Sequence, residues 1–137
     1  IHSLDDLVRP DIRFVNREPG SGVRQWLEHQ FHRLGIQSEM VPGYSNVVNS
    51  HLEVAQTVLK GNADAGIGIA SVARKLGLDF IPLFEEPYEI AIPHSFLIDR
   101  RYIPFFEFFN SGEARAVISR LDGYTIPQNS GKIDVVC

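Results

Sequence analysis

Apolar positions along this chain recur first at strand spacing and then at helix spacing, and the alternation repeats. Residues 12–15, Ile-Arg-Phe-Val, read as a short strand. From residue 23 to 34 the apolar side chains Trp26, Leu27, Phe31 and Leu34 share one helical face, and Gly35 follows where a left-handed cap ends a helix. Residues 36–41 read as a second strand, closed by Pro42 and Gly43. Ser50 with Glu53 three positions on has the form of a capping box, opening a helix over 51–60 that Gly61 closes. Residues 63–67 make a third short strand, and 70–76 a third helix ended by Gly77. Two further extended runs are predicted at 79–84 and 88–92, with a kink at Glu85, Glu86 and Pro87 between them.

Strands alternating with helices imply an α/β fold, with a mainly parallel sheet covered by helices. All three predicted helices end on the same logic, with a basic residue near the end and Gly after it: Arg33 and Gly35, Lys60 and Gly61, Lys75 and Gly77. Past Pro93 the texture changes. Residues 103–121 are predicted helical in two pieces, an aromatic one with Phe105, Phe106, Phe108 and Phe109 and a second from Ser111. The tail from Gly123 is rich in Gly, Pro, Asn and Ser and reads as irregular.

The chemistry concentrates where the first strand meets the first helix. Residues 16–24, Asn-Arg-Glu-Pro-Gly-Ser-Gly-Val-Arg, place small donor-rich residues at a helix N-terminus. Amides of a first helical turn lack internal acceptors, and the helix dipole favours negative charge there. Gly20 and Gly22 allow close approach to the backbone, Ser21 can cap or donate, and Arg17 and Arg24 add positive charge. In open α/β sheets ligands sit beyond the carboxyl ends of the strands. Three turns are expected there, over 16–22, 42–50 and 66–71. They carry Ser21, Tyr44, Ser45, Asn46, Asn49, Ser50, Gly66, Gly68 and Ser71, a hydrogen-bonding lining suited to a small oxyanion or polar molecule.

Composition narrows the classes. The 137 residues suffice for one domain, and 44% hydrophobic with 22% charged is ordinary for a globular chain. A net charge of −4, from 13 basic and 17 acidic residues, argues against a broad nucleic-acid surface. No apolar run approaches the roughly 18 residues of a membrane helix. The start of the chain shows no secretory signal, although a processed form would have lost one. Cys137 stands alone, and no Cys/His cluster has zinc spacing. The loop at 16–24 fits neither a dinucleotide fingerprint nor a nucleotide P-loop. No nucleophile–base motif appears, and Glu85, Glu86 and Glu89 read as solvated residues of a hinge rather than catalytic carboxylates.

Taken in order, several stretches resemble the PBP-like domain, a periplasmic-binding-protein type of fold. It is found fused to molybdate-response helix-turn-helix regulators and to molybdopterin biosynthesis proteins. The resemblance runs through residues 14–24, Gly43 and Tyr44, 51–55, 61–69, 77–83, 86–93 and 121–124, and so covers the chain nearly to Tyr124. It implies a type II two-lobed binder that closes on its ligand. Residues 12–83 would be one complete βα lobe. Residues 88–124 would be a crossover strand and closing helices returning to the second lobe, and 125–137 an irregular tail. The N-terminal half of that second lobe would lie upstream of Ile1. Without it, the returning segment lacks sheet partners, and the region between Phe105 and Phe109 would favour homo-oligomers.

The resemblance further implies a non-enzymatic sensor domain without a cofactor, binding molybdate, tungstate or a similar small anion. It would make no direct contact with nucleic acid or membrane, and would be cytoplasmic. The alternative is the solute-binding component of an anion transporter, located in the periplasm. The candidate ligand-binding residues are Arg17, Ser21, Gly22 and Gly68, followed by Tyr44, Ser45 and His51, with no catalytic or metal site. A fully deprotonated tetrahedral oxyanion only accepts hydrogen bonds, which backbone amides, hydroxyls and an arginine supply. Each candidate has a plainer reading: Ser21 as a helix cap, Arg17 and Arg24 as surface charges, His51 as a polar first-turn residue, and Tyr44 packed on the sheet edge.

Overall fold

Phe14 and Val15 are adjacent in sequence and exposed by only 0% and 1%, so the strand that carries them is covered on both faces. In the computed structural model, which describes residues 1–134, this strand is β1, Phe14–Arg17. Phe14 packs with Leu27 and Phe31 of helix α1, Gly22–Leu34, and with Leu7, Ile12 and Val41. Val15 packs on the other face with Val54 of helix α2, His51–Leu59, and with Ala63. Burying side chains such as Phe14 and Leu27 stabilises the fold by about 1.5–3 kcal/mol each.

The remaining strands are short. Strand β2 is Val47–Val48 and strand β3 is Ala65–Gly66, and both run parallel to β1 in the order β2-β1-β3. The observed architecture is thus mixed α/β with a small parallel sheet. Helix α3, Ala70–Lys75, follows β3. The three predicted glycine caps all form. Gly35, Gly61 and Gly77 have φ of 70°, 70° and 69°. The amide beyond each reaches back five residues: Ile36 to Phe31, Asn62 to Thr57 and Leu78 to Ala73.

Four of the predicted extended segments change. The first is shifted two residues later, because the carbonyls of Asn46 and Val48 accept the amides of Asn16 and Glu18 and extend the pairing. The second is not at 36–41. Ser38–Met40 is a 3-10 turn with Glu39 and Met40 exposed, and the pairing belongs to Val47–Val48. The chain approaches β1 at Pro42, whose carbonyl accepts the Phe14 amide at 2.7 Å. It then humps through Gly43, at φ 85°, before pairing again at Asn46. A side chain at Gly43 would collide with the Phe14 carbonyl, so glycine is required there. The extended runs at 79–84 and 88–92 form no strand, since no neighbour pairs with them among the described residues.

The chain divides into two units, Ile1–Pro82 and a second from Leu83 onward. The second unit holds helices α4, His94–Leu97, α5, Ile103–Asn110, and α6, Gly112–Ile118. The predicted break at Ser111 is observed. Its hydroxyl accepts the Ala114 amide at 3.1 Å, capping α6, and donates to the Phe108 carbonyl at 2.6 Å. Residues 123–134 are irregular as predicted, and the rest of the tail, with Cys137, lies outside the described residues. Among the described residues no helix is long and apolar enough to cross a membrane.

Candidate functional site

Because all three strands are parallel, their carboxyl ends share one edge. That edge holds Arg17 at the end of β1 and residues 18–22 after it, Asn49 to His51 after β2, and Ile67 and Gly68 after β3. It therefore gathers Arg17, Ser21, Gly22, His51 and Gly68. Tyr44 and Ser45 stand apart. They precede β2 in the hump beginning at Gly43, so most of the 42–50 turn runs alongside β1 instead of beyond it.

Arg17 is the last residue of β1, not a loop residue, and its side chain is only 11% exposed. Its guanidinium binds both oxygens of Glu18, Nε to Oε2 and Nη2 to Oε1 at 2.8 Å each, and Nη2 also donates to the Asn49 carbonyl at 3.3 Å. This fork-to-fork pair is the strong geometry for a guanidinium and a carboxylate. The Arg17 hydrogen bonds, with smaller help from its own amide and the charge of His51, hold the Glu18 carboxyl down at about 2. Glu18 is therefore an anion throughout the neutral range. The same bonds raise the Arg17 pKa, with Glu53 contributing at longer range.

Ser21 is the N-cap of α1. Its hydroxyl accepts the Arg24 amide at 3.4 Å, and its own amide donates to the Glu18 carbonyl. The amides of Gly22 and Val23 have no acceptor among the described residues. Space around Gly20 and Gly68 is open: a Cβ at either would meet nothing within 4 Å. His51 opens α2 directly after the Ser50 cap and is half-buried, with Nδ1 inside. The capping box forms with a difference. Ser50 Oγ accepts the Glu53 amide at 3.1 Å as predicted, but the Glu53 carboxylate returns to the Asn49 amide at 2.9 Å.

Arg24 and Tyr44 belong to a neighbouring cluster. Arg24, 14% exposed, binds Glu28 Oε1 at 2.8 Å and the Arg17 carbonyl at 3.1 Å, and lies 5.1 Å from the centre of the Tyr44 ring. The Tyr44 hydroxyl donates to Glu28 Oε1 at 2.8 Å, and burial is the main cause that raises its pKa. Tyr44 and Ser45 also line an open hollow of about 320 Å³ with Ser38, Glu39, Val41 and Gly43. Arg24 thus secures the end of β1 to α1.

Sequence reasoning counted Asn49 in this lining and Glu53 in the capping box, but gave Glu18 and Asn16 no role of their own on this edge. Asn16 is 2% exposed; its carboxamide donates to the Tyr44 carbonyl and accepts the Arg17 amide. Opposite charges side by side at Arg17 and Glu18 were the available signal.

Comparison with known proteins places this geometry in a family. The model of the PBP superfamily domain matches residues 1–110. The uncharacterized protein YvgK of Bacillus subtilis (strain 168) is 40% identical over 124 residues, which are 90% of this chain and 40% of that protein. The chain therefore spans well under half the length of YvgK. An uncharacterized protein from the 5′ region of the ferredoxin 2Fe-2S gene of Clostridium pasteurianum is 33% identical over 108 residues, 78% of this chain and 95% of that protein. No solved structure matches. A family model spanning most of the chain, with the parallel βα order it accompanies, assigns the protein: it belongs to the PBP superfamily.

Proposed function

We propose that this chain is a ligand-binding domain for a small oxyanion, with the site at the carboxyl edge of its parallel sheet. The observation that carries the reading is the meeting of three features on that edge: the open glycines Gly20 and Gly68, the acceptor-free amides of Gly22 and Val23, and the Arg17 guanidinium. Residues 12–83 act as one βα lobe of a type II periplasmic-binding-protein fold. Molybdate and tungstate are the ligands that the resemblance brings forward, and a sensor in a regulator or a molybdenum-cofactor-related protein is the setting. The domain binds and does not catalyse. Arg17 engages the anion in competition with Glu18, since both carboxylate oxygens already occupy it.

The test is a thermal-shift panel of molybdate, tungstate, sulfate and phosphate, repeated on Arg17→Ala, Ser21→Ala and Glu18→Gln. A ligand that binds only the folded state raises the melting temperature with concentration. One anion is expected to do so. Arg17→Ala should abolish the shift, and Glu18→Gln should tighten binding by about 5-fold, the size of one exposed charge pair. No shift with any of the four, or a shift indifferent to Arg17→Ala, would overturn the reading.

A further inference from the structure

Arg17 stands where the sheet comes apart. The amides of Phe14, Asn16 and Glu18 donate to the carbonyls of Pro42, Asn46 and Val48, so these positions of β1 face β2 and the chain leading into it. Alternate amides of a strand between two parallel neighbours point to opposite sides, and that of Arg17 therefore faces β3. Strand β3 ends at Gly66, in register with Val15, and among the described residues no backbone carbonyl accepts the Arg17 amide. Oδ1 of Asn16 accepts it instead, at 2.9 Å. Asn16 is the one buried polar side chain among the described residues. Its Nδ2 donates to the Tyr44 carbonyl at 3.3 Å, which fixes the carboxamide.

The Arg17 carbonyl is held as well. Nη1 of Arg24 donates to it at 3.1 Å, while Nε of Arg24 binds Glu28 and the guanidinium lies over the Tyr44 ring. The Tyr44 hydroxyl donates to the same Glu28 oxygen. The backbone of Arg17 is thus bracketed on both sides by side chains that share Tyr44 as their anchor. A buried amide requires an acceptor. A strand continuing from Gly66 would supply one, but it would run along the edge where Gly68 now borders open space. Asn16 supplies the acceptor from within β1 and leaves that space free.

We propose that Asn16, together with Arg24, is a positioning residue of the carboxyl edge: it holds the Arg17 backbone so that the guanidinium is presented there while β3 diverges from β1. Asn16 acts through Arg17 and touches no anion itself. The consequence for binding rests on the reading of this edge as an anion site. The bracket is tested separately, by a titration that involves no anion. Glu18 reports on the guanidinium, since Arg17 is the main cause of its pKa of about 2. Asp64, held by Arg13 at the other end of β1, is the control within the same chain.

Carboxyl-carbon NMR titrations of the full chain follow both groups in the wild type, Asn16→Ala and Arg24→Gln. The second variant removes no core side chain and keeps the test open should Asn16→Ala not fold. In each, the Glu18 midpoint is expected to rise by at least about one pH unit, a ten-fold weaker hold by Arg17, while Asp64 stays at about 2. Leu7→Ala, which opens the core without touching the bracket, should move neither. Either change is then added to Glu18→Gln, where no carboxylate competes for Arg17. Molybdate, tungstate, sulfate and phosphate are titrated onto these proteins. The anion that binds Glu18→Gln should bind the double variants about five-fold more weakly, the penalty of ordering one loosened side chain. Glu18 unmoved in every variant that folds, or anion affinity unchanged in both double variants, would refute the proposal. Anions that bind no version of the chain would sink the reading of the edge as an anion site, and a displaced Glu18 would still establish the bracket.

Discussion

Arg13 and Asp64 tie the start of β1 to the chain entering β3, far apart in sequence and joined at both ends of the side chains. Asp64 accepts the Arg13 guanidinium at 2.8 and 2.9 Å and the Arg13 amide at 2.8 Å. The guanidinium, then the amide, lower its pKa to about 2 from an ordinary 3.8. Glu18 is lowered to about 2 from 4.5 by Arg17. A carboxyl depressed in the folded state binds fewer protons there than in the unfolded chain. Its stabilisation is complete above its ordinary value and disappears as pH falls through the folded one. Stability should therefore be flat from neutrality to just above pH 4.5 and decline from there towards pH 2, following these two groups. Urea midpoints across that range should show the decline, and Asp64→Asn should flatten its lower part. An unchanged slope in Asp64→Asn would show that the pair is too exposed to matter.

Among the elements, β2 depends most on a single position. Two paired residues cannot hold a strand in register alone, and the hump through Gly43 brings the chain onto β1 at Pro42 and again at Asn46. Gly43→Ala places a side chain at φ 85° against the Phe14 carbonyl. The left-handed conformation costs about 1–2 kcal/mol for a non-glycine residue, and the collision with backbone adds to that. Chemical denaturation should show a loss of at least about 2 kcal/mol. Gly20→Ala, also at positive φ but in open space, should cost less. Equal losses at the two sites would mean that the approach to Phe14 is not tight in solution.

The two units differ in what holds them. Ile1–Pro82 contains both apolar clusters, centred on Phe14 with Leu27 and on Val15 with Val54. The unit from Leu83 onward has short helices and aromatic ring contacts, such as Phe96 stacked on Tyr102 at 4.2 Å, without an enclosed core among the described residues. Local opening follows buried contacts. Hydrogen exchange should find slow amides in β1, α1 and α2 and fast ones in α4 to α6 at low protein concentration. Uniform protection in dilute solution would contradict this division.

Much of the first unit was written in the sequence. The periods of α1 and α2, the glycine ends at Gly35, Gly61 and Gly77, the Ser21 and Ser50 caps and the βα alternation are local signals, set by side-chain spacing and backbone preference. They sufficed to place Ser21, Gly22, His51 and Gly68 on one edge once the sheet was parallel. Strand pairing was not local. Residues 36–41 and 88–92 carry the composition of strands, but a strand exists only where another chain segment offers its amides and carbonyls, and β1 offers them to Val47 and Val48. The state of Arg17 was equally hidden. Its charge was plain, whereas its engagement by Glu18 and the Asn49 carbonyl required the ends of β1 and β2 to meet. The sequence by itself determined which residues favour helix, cap and turn. Tertiary structure alone decided which strands pair and which charges are already satisfied, because both depend on groups distant along the chain.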